Sequence, residues 1–200
     1  LTLKNQIYIK ETLKKFFEEK KKIDIIPKIL FLTGLPSSGK TSLAISLKKK
    51  LKKFELKKIK YIDGDLFRKK FKFNQYDKKS RNLVGDKKIR FAKTFLRLKK
   101  FVIITGVAHD KFWRRKIKKN NNDIVEVFTK CPLKVCQERD FKKNYFKAQN
   151  KDLKNFVGIN YMYQEGNSVD ITLNMYRNTV STNKNKLIKY LKFKKYVYRK

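Results

Sequence analysis

Short apolar runs alternate with longer amphipathic segments along most of the chain. The apolar runs show little polar alternation, which is typical of strands that are buried on both faces. We predict strands at residues 28–33, 59–62, 101–105, 124–129 and 169–173. Helices are predicted at residues 41–51, 80–98, 132–139 and 182–191. Strands that alternate with helices in this way indicate an α/β fold, with a parallel sheet flanked by helices.

A complete glycine-rich phosphate-binding motif lies between the first predicted strand and the first predicted helix. Gly34 and Gly39 allow the backbone to curl, so that successive N–H groups and the helix N-terminus face an anion. Lys40 is expected to reach the β- and γ-phosphates, and the Thr41 hydroxyl is expected to bind Mg²⁺. A chance match is disfavoured because the strand and the helix stand in the required order. The sequence therefore predicts an ATP- or GTP-binding loop formed by Gly34, Leu35, Pro36, Ser37, Ser38, Gly39, Lys40 and Thr41.

An Asp-Gly-Asp turn follows the second predicted strand. Phosphoryl transfer needs a carboxylate that orients Mg²⁺ or accepts the proton of the attacking hydroxyl. Asp63 is the first candidate because it ends the strand directly, and Asp65 is the second. A solvated turn without chemistry is the alternative. Because ligands bind beyond the carboxyl ends of parallel strands, we expect Asp63 and Thr105 to lie beside the phosphate loop.

The composition is strongly basic: 200 residues include 54 Lys and Arg against 17 Asp and Glu, a formal net charge of +37. Such a charge suggests nucleic acid or an anionic membrane as a partner. However, nine of the 54 basic residues are arginine, and lysine is spread along the whole chain. Base recognition favours clustered arginine within known motifs. We therefore favour compositional drift and expect no specific nucleic-acid partner.

The remaining chemistry of the sequence is sparse. No apolar run approaches the length of a membrane span, and the N-terminus shows no signal-peptide stretch. Cys131 and Cys136 are too few for a disulfide framework and match no common zinc spacing, so we expect a reducing cytoplasm. His109 follows the third strand, where a loop histidine without a task is favoured over a proton carrier.

Five blocks of the chain together resemble the adenylylsulfate kinase family: residues 34–41, 62–68, 126–140, 145–148 and 153–160. The phosphate loop is shared by many kinases. The Pro-Leu-x-Val-Cys-x-x-Arg-Asp segment that begins at Pro132 and the Lys-x-Phe-x-Gly-Ile segment that begins at Lys154 are far more specific. The resemblance implies a P-loop NTPase-type sheet with a mobile lid around residues 140–165. It implies Mg²⁺-dependent transfer of the ATP γ-phosphate to the 3′-hydroxyl of adenylylsulfate, a step of sulfate assimilation.

The same resemblance assigns roles to individual positions. Asp63 would lie closest to the reacting hydroxyl and the metal, Lys40 would complete the catalytic pair, and Arg139 would lie over the donor nucleotide. Tyr76 and Phe156 would stack on the adenine of the acceptor. The implied acceptor site consists of Asp65, Arg68, Tyr76, Arg81, Lys154 and Phe156. Members of the family are often dimers, so a homodimer is considered, although no residue indicates an interface.

The chain departs from the family on the acceptor side. Leu66 and Val84 stand where the family has asparagine, and Ala108 replaces the serine of a serine-proline segment. Gln149 begins the segment that replaces the Arg-Ala-Gly of the lid, and Asn160 ends a motif that closes with aspartate in the family. Because a site that hydrogen-bonds its substrate discriminates strongly, these changes are expected to weaken or change acceptor binding.

Two alternatives to adenylylsulfate phosphorylation follow. The first is a related kinase for another nucleotide-linked or small anionic acceptor, for example in surface polysaccharide modification. The second is a basic nucleic-acid-binding protein with an idle phosphate loop, which the retention of Lys40, Thr41, Asp63 and Arg68 argues against.

The ends of the chain carry no recognisable chemistry. Residues 1 to about 26 are charged and helix-prone, which predicts a helix laid against the domain. The segment from residue 184 to residue 200 is rich in Lys and Tyr, and a solvated helix with a frayed end is favoured over an interaction arm. We divide the chain into an N-terminal helical extension (1–27), a P-loop kinase domain (28–182) and a basic C-terminal helix and tail (183–200) that belongs to the same domain.

Overall fold

The predicted apolar runs form one parallel sheet in the computed structural model of the protein, which describes residues 23–52, 58–167 and 169–199. In order across the sheet, the strands are β3 (Ile59–Ile62), β4 (Phe101–Thr105), β2 (Ile29–Thr33), β5 (Ile124–Lys130) and β6 (Ile171–Asn174). Each neighbouring pair is parallel. Strands β2 and β4 are buried along their whole length, as expected of strands covered on both faces.

Helices follow most of the strands, and four of those described begin at a side chain that caps the helix. The carboxylates of Asp63, Asp77 and Asp110 and the hydroxyl of Thr179 accept N–H groups of the first turn. The described helices are α1 (Lys40–Lys52), α2 (Gly64–Lys70), α3 (Lys78–Arg97), α4 (Lys111–Lys119), α5 (Leu133–Glu138), α6 (Asn144–Gln149) and α7 (Val180–Phe193). Three of them, α2, α4 and α6, are absent from the predicted set because they are short and rich in polar residues.

Two apolar cores cover the faces of the sheet. Strand β2 contributes to both, since alternate residues of a strand point to opposite faces. Leu30 and Leu32 lie in the core that includes α1 and α7. Ile29 and Phe31 lie in the core that includes α3 and Trp113 of α4. The strand that precedes the phosphate loop is therefore fixed from both sides. Within the described residues, no helix is long and apolar enough to cross a membrane.

The two ends of the described chain form a second, two-stranded sheet. Strand β1 (Ile23–Ile25) pairs antiparallel with β7 (Val197–Arg199), and both Ile25 and Val197 are buried. The predicted N-terminal helix is therefore wrong at residues 23–25, and its remainder lies outside the described residues. The predicted frayed tail is wrong at residues 197–199, because backbone pairing and burial of Val197 hold this segment against the domain.

The packing of α3 against α4 depends on Gly85. A Cβ atom built at this position would collide with the indole ring of Trp113. The same indole donates a hydrogen bond from Nε1 to the Asp86 carboxylate at 3.0 Å, which fixes the ring in place. Helix α3 also carries Arg81, so this contact sets the position of a predicted acceptor residue.

We predict that Gly85→Ala lowers the free energy of unfolding by about 1–3 kcal/mol, because overpacking against Trp113 outweighs the helix propensity of alanine. Propensity alone would raise stability by about 1 kcal/mol. Chemical denaturation measures the change. Leu83→Ala, at an exposed position of the same helix, is the control and should stay within about 0.5 kcal/mol of the wild type. A Gly85→Ala variant more stable than the wild type would contradict the packing argument.

Candidate active site

The phosphate loop has the backbone shape that its glycines predict. Gly34 has a φ of 142° and Gly39 a φ of 91°, a region that glycine adopts without strain. A Cβ atom at Gly34 would collide with Thr129 of β5. The Ser38 and Thr129 hydroxyls are 2.8 Å apart, and the Thr129 hydroxyl donates to the Thr33 carbonyl at 2.7 Å. The loop is therefore attached to the ends of β2 and β5.

Lys40 begins α1 directly behind this loop, and its side chain is buried. The ammonium donates to the Gly34 carbonyl at 3.1 Å and to the Ser38 hydroxyl at 3.3 Å, and it also donates to the Leu35 carbonyl. Burial lowers the pKa of Lys40 to about 8. A phosphate group that reaches the loop can replace the carbonyl oxygens as acceptor for this cation, and the negative charge would favour its protonated form.

Asp63 lies at the carboxyl end of β3 and caps α2. Its Oδ1 accepts the backbone N–H groups of Asp65 at 2.9 Å and Leu66 at 3.1 Å. Its Oδ2 accepts the Tyr61 hydroxyl at 2.7 Å and, more weakly, the Thr105 hydroxyl at 3.4 Å. Burial alone would raise the pKa of Asp63, but these hydrogen bonds hold it below its usual value. The carboxylate is thus charged at neutral pH, and its orientation is fixed.

Tyr61 is a site residue that the sequence reasoning missed. Its hydroxyl lies between the Asp63 carboxylate, the Thr105 hydroxyl at 3.5 Å and the Thr41 hydroxyl. Burial raises the pKa of Tyr61 to about 12, so the phenol stays a donor to Asp63. The sequence contained a pattern that could have identified Tyr61. Residues two apart on a strand share a face, and Tyr61 stands two residues before Asp63.

Two of the predicted acceptor residues, Arg68 and Arg81, face the ring of a third, Tyr76. The guanidinium carbon of Arg68 lies 4.3 Å, and that of Arg81 5.2 Å, from the centroid of the Tyr76 ring. Arg81 also donates to the Tyr76 carbonyl at 2.6 Å and to the Asn155 carbonyl at 2.7 Å, which joins α3 to the predicted lid. Burial and the nearby Arg68 charge lower the pKa of Arg81 to about 10. Two cations thus face one aromatic ring beside the lid.

A cavity of about 420 Å³ opens at this place. Tyr76 and Lys154 line it from opposite sides. The lining does not include Phe156, whose ring packs edge to face against Tyr145 at 4.9 Å between centroids. Asp65 is exposed in the first turn of α2. The structure therefore brings Arg68, Tyr76, Arg81 and Lys154 together and places Phe156 in the adjoining packing.

The predicted lid begins at the phosphate loop. Arg139 is exposed and donates to the Met175 carbonyl at 3.0 Å, and the Met175 side chain lies against Gly39. The Asp140 carboxylate accepts the Ser37 hydroxyl at 3.4 Å, and the Tyr145 hydroxyl donates to the Pro36 carbonyl at 3.1 Å. Arg139 therefore stands beside the loop, where a planar cation can meet a nucleotide. The contacts of Asp140 and Tyr145 were not predicted, because they join residues more than 100 positions apart.

A buried ion pair lies between the two halves of the cleft. Arg114 of α4 donates to Glu126 of β5 at 2.7 Å, and both side chains are 2% exposed. Glu126 also accepts the Thr33 hydroxyl at 3.3 Å. Arg114 further donates to the carbonyls of Ala108 and Gln164. One pair thus connects the end of β2, the loop after β4 and the end of the predicted lid.

A parallel sheet, a glycine-rich loop with a buried lysine and a fixed carboxylate at the end of the edge strand β3 define a P-loop kinase. The sequence model of the adenylylsulphate kinase family matches residues 26–174. The chain therefore belongs to this family, as the sequence blocks predicted, and it is a kinase. Membership of a kinase family disfavours the alternative of a nucleic-acid-binding protein with an idle loop.

Individual relatives agree with this assignment. An adenylyl-sulfate kinase of Clostridium acetobutylicum is 33% identical over 169 residues, which cover 82% of each chain. A cytidine diphosphoramidate kinase of Campylobacter jejuni is 30% identical over 165 residues, which cover 82% of this chain and 96% of the relative. The structure of the Mycobacterium tuberculosis APS kinase CysC in complex with AMPPNP and APS superposes with a TM-score of 0.78 at 25% identity, covering 84% of this chain and 99% of that one.

We predict that nucleotide binding weakens as the pH rises above 8, because the anion binds the charged form of Lys40, whose pKa in the free protein is about 8. Linkage sets the decrease in affinity between pH 7 and pH 9 at about tenfold. Titration calorimetry with AMPPNP and Mg²⁺ measures it. Lys40→Met should bind weakly and without this pH dependence, whereas Lys49→Met, at an exposed position of the same helix, should keep it. Equal affinity of the wild type at both pH values would contradict the prediction.

Proposed function

We propose that the protein transfers the γ-phosphate of ATP to the 3′-hydroxyl of adenylylsulfate and forms 3′-phosphoadenylylsulfate, as in sulfate assimilation. The observation that carries this proposal is the position of the Asp63 carboxylate. It lies at the carboxyl end of β3 and caps α2, the short helix that carries Arg68, one of the two cations that face Tyr76. Asp63 lies within electrostatic reach of Lys40 on the donor side.

Asp63 has room for one further strong hydrogen bond. A carboxylate offers about four acceptor positions. Two on Oδ1 are taken by backbone N–H groups, and one on Oδ2 is taken by Tyr61. The last position, which Thr105 approaches at only 3.4 Å, is open to the hydroxyl of the acceptor. Because its pKa is lowered, Asp63 would mainly orient this hydroxyl and take its proton late, which suits a loose phosphoryl-transfer transition state.

The donor side supplies charge for the moving phosphoryl group. Lys40 would neutralise the β- and γ-phosphates, and Arg139 would lie against the donor nucleotide. The Thr41 hydroxyl is a hard oxygen ligand of the kind that Mg²⁺ takes. No group of three His, Cys, Asp or Glu residues able to hold a metal occurs in the described part of the chain, so the ion would be shared with the nucleotide phosphates. Bound Mg²⁺ would neutralise phosphate charge.

The acceptor side would hold a nucleotide by stacking and by charge. Base–aromatic stacking contributes about 1–3 kcal/mol, and the Tyr76 ring at the cavity can supply it. Arg68, Arg81 and Lys154 would bind the anionic groups. Asp65 and Phe156 would also contact the acceptor, which is the role that the family resemblance implies for them.

Cys131 and Cys136 are buried and unpaired, which supports a reducing cytoplasm as the location. The homodimer stays a prediction.

We predict adenylylsulfate-dependent consumption of ATP by the purified protein with Mg²⁺. Asp63→Asn should lower kcat by about 100- to 10,000-fold, because asparagine can still cap α2 but cannot take the proton. Lys40→Ala should abolish transfer with little effect on folding. A coupled assay for ADP measures turnover, and far-ultraviolet circular dichroism checks the fold. A folded Lys40→Ala variant with wild-type turnover would overturn the site, and a folded, ATP-binding wild type without turnover would exclude adenylylsulfate.

A second candidate acceptor is another nucleotide-linked anion. Two observations favour it: Leu66 and Val84 replace polar residues expected in the acceptor site, and the Campylobacter jejuni relative carries the name of a cytidine diphosphoramidate kinase. An assay of ATP consumption with adenylylsulfate and with cytidine diphosphoramidate, compared by kcat/KM, separates the two. The proposed function predicts the higher value for adenylylsulfate, and the reverse order would assign the site to the second candidate.

A further inference from the structure

Lys88 of α3 is a buried cation that the proposed reaction does not use. Its side chain is buried, and the residue is 8% exposed. The one hydrogen bond that the structure gives its ammonium leads to the Thr105 carbonyl at 3.3 Å, a long contact. Among the described residues, no carboxylate lies within 4 Å of it. A lysine offers three donors, and apart from this carbonyl the ammonium faces the Phe31 ring, whose centroid is 6.0 Å away, so its hydrogen bonds are incomplete.

The ammonium lies at the carboxyl edge of the sheet. Cβ atoms built at Gly64 and Gly106 would approach it to 3.3 and 2.7 Å, so the ammonium packs closely against the backbone of both glycines, where a side chain would displace it. Gly64 directly follows Asp63, and Gly106 directly follows β4. Lys88 is seven residues, or about two helical turns, beyond Arg81 and therefore lies on a similar face of α3. The ammonium is thus placed next to the turn that carries Asp63.

Among the charges around Lys88, the strongest effects come from Arg68 and Asp65, which belong to the proposed acceptor side. Burial lowers the pKa of Lys88 to about 8, and the positive charge of Arg68 lowers it further than that of Lys40 does. Asp65 and Asp63 act in the opposite direction. A buried ammonium with so little compensation destabilises the folded protein, whereas a well-packed apolar side chain would not. The position therefore calls for a ligand that supplies negative charge.

We propose that Lys88 binds an anionic group of the acceptor and selects acceptors that carry two adjacent negative charges, such as an acid anhydride linked to a nucleoside. The inference rests on the proposed function, since it takes Asp63, Arg68 and Arg81 as the acceptor side. Together with Arg68 and Arg81, Lys88 makes three cations that converge on this side of the cleft. An anion bound there completes the hydrogen bonds of Lys88 and favours its charged form.

A binding experiment tests this inference without turnover. The phosphate loop is saturated with AMPPNP and Mg²⁺, and inorganic pyrophosphate is titrated as a probe with adjacent charges and no nucleoside. Lys88→Met and Lys88→Gln should each weaken pyrophosphate binding at least tenfold. Lys87→Met, which removes the same charge from the exposed side of α3, should leave it unchanged. No pyrophosphate binding by the wild type, or equal binding by the wild type and the Lys88 variants, would overturn the inference.

Two further readouts separate a ligand role from a structural one. With adenylylsulfate as substrate, the Lys88 variants should raise the acceptor KM at least tenfold and leave the KM for ATP unchanged. Lys88→Met should also melt at or above the wild-type temperature, because it removes a poorly compensated charge. A lower melting temperature with an unchanged acceptor KM would show a structural role and overturn the inference. If pyrophosphate binding depends on Lys88 while adenylylsulfate gives no turnover, the proposed function fails and the Lys88 site stands.

Discussion

The buried ion pair between Arg114 and Glu126 holds the functional edge of the sheet in one arrangement. Burial of two charges is tolerated only when their remaining donors and acceptors are satisfied. Here Glu126 also accepts from Thr33, and Arg114 also donates to the carbonyls of Ala108 and Gln164. The pair therefore holds the strand that carries the phosphate loop against the loop after β4 and the end of the lid segment.

Three cationic side chains of the cleft are buried without full compensation of their charge. The pKa values of Lys40 and Lys88 are lowered to about 8, and that of Arg81 to about 10, mainly by burial. In the free protein, Asp63 and Asp65 compensate the charges of Lys40 and Lys88 only in part, and Asp77 does the same for Arg81. Anionic ligands on both sides would supply the missing charge, and the cations would then be in place before the phosphoryl group moves. This arrangement favours a reaction between two anionic substrates.

The sequence predicted the parallel sheet, the phosphate loop and Asp63, because each depends on local patterns: apolar runs, glycine spacing and a strand end. It did not predict that residues 23–25 pair with residues 197–199, since helix-prone and lysine-rich segments gave no sign of pairing over such a separation. Tyr61 was not predicted, although it stands two residues before Asp63 and should therefore share its face of the strand. Lys88 could not be distinguished among so many lysines, because only the packing of α3 buries it. Phe156 matches the family motif, yet the structure packs its ring against Tyr145.

In the proposed reaction, this edge of the sheet moves a phosphoryl group from ATP to the hydroxyl of a nucleotide-linked anion. Phosphorus-31 NMR of a mixture of the protein, ATP, Mg²⁺ and adenylylsulfate is the decisive test, because it identifies the product as well as the consumption of ATP. We expect one ADP and one new phosphomonoester, at the 3′ position of adenylylsulfate, for each ATP consumed. Release of ADP with inorganic phosphate alone would contradict the proposed reaction, because it would show that water, and not the acceptor, reaches the site beside Asp63.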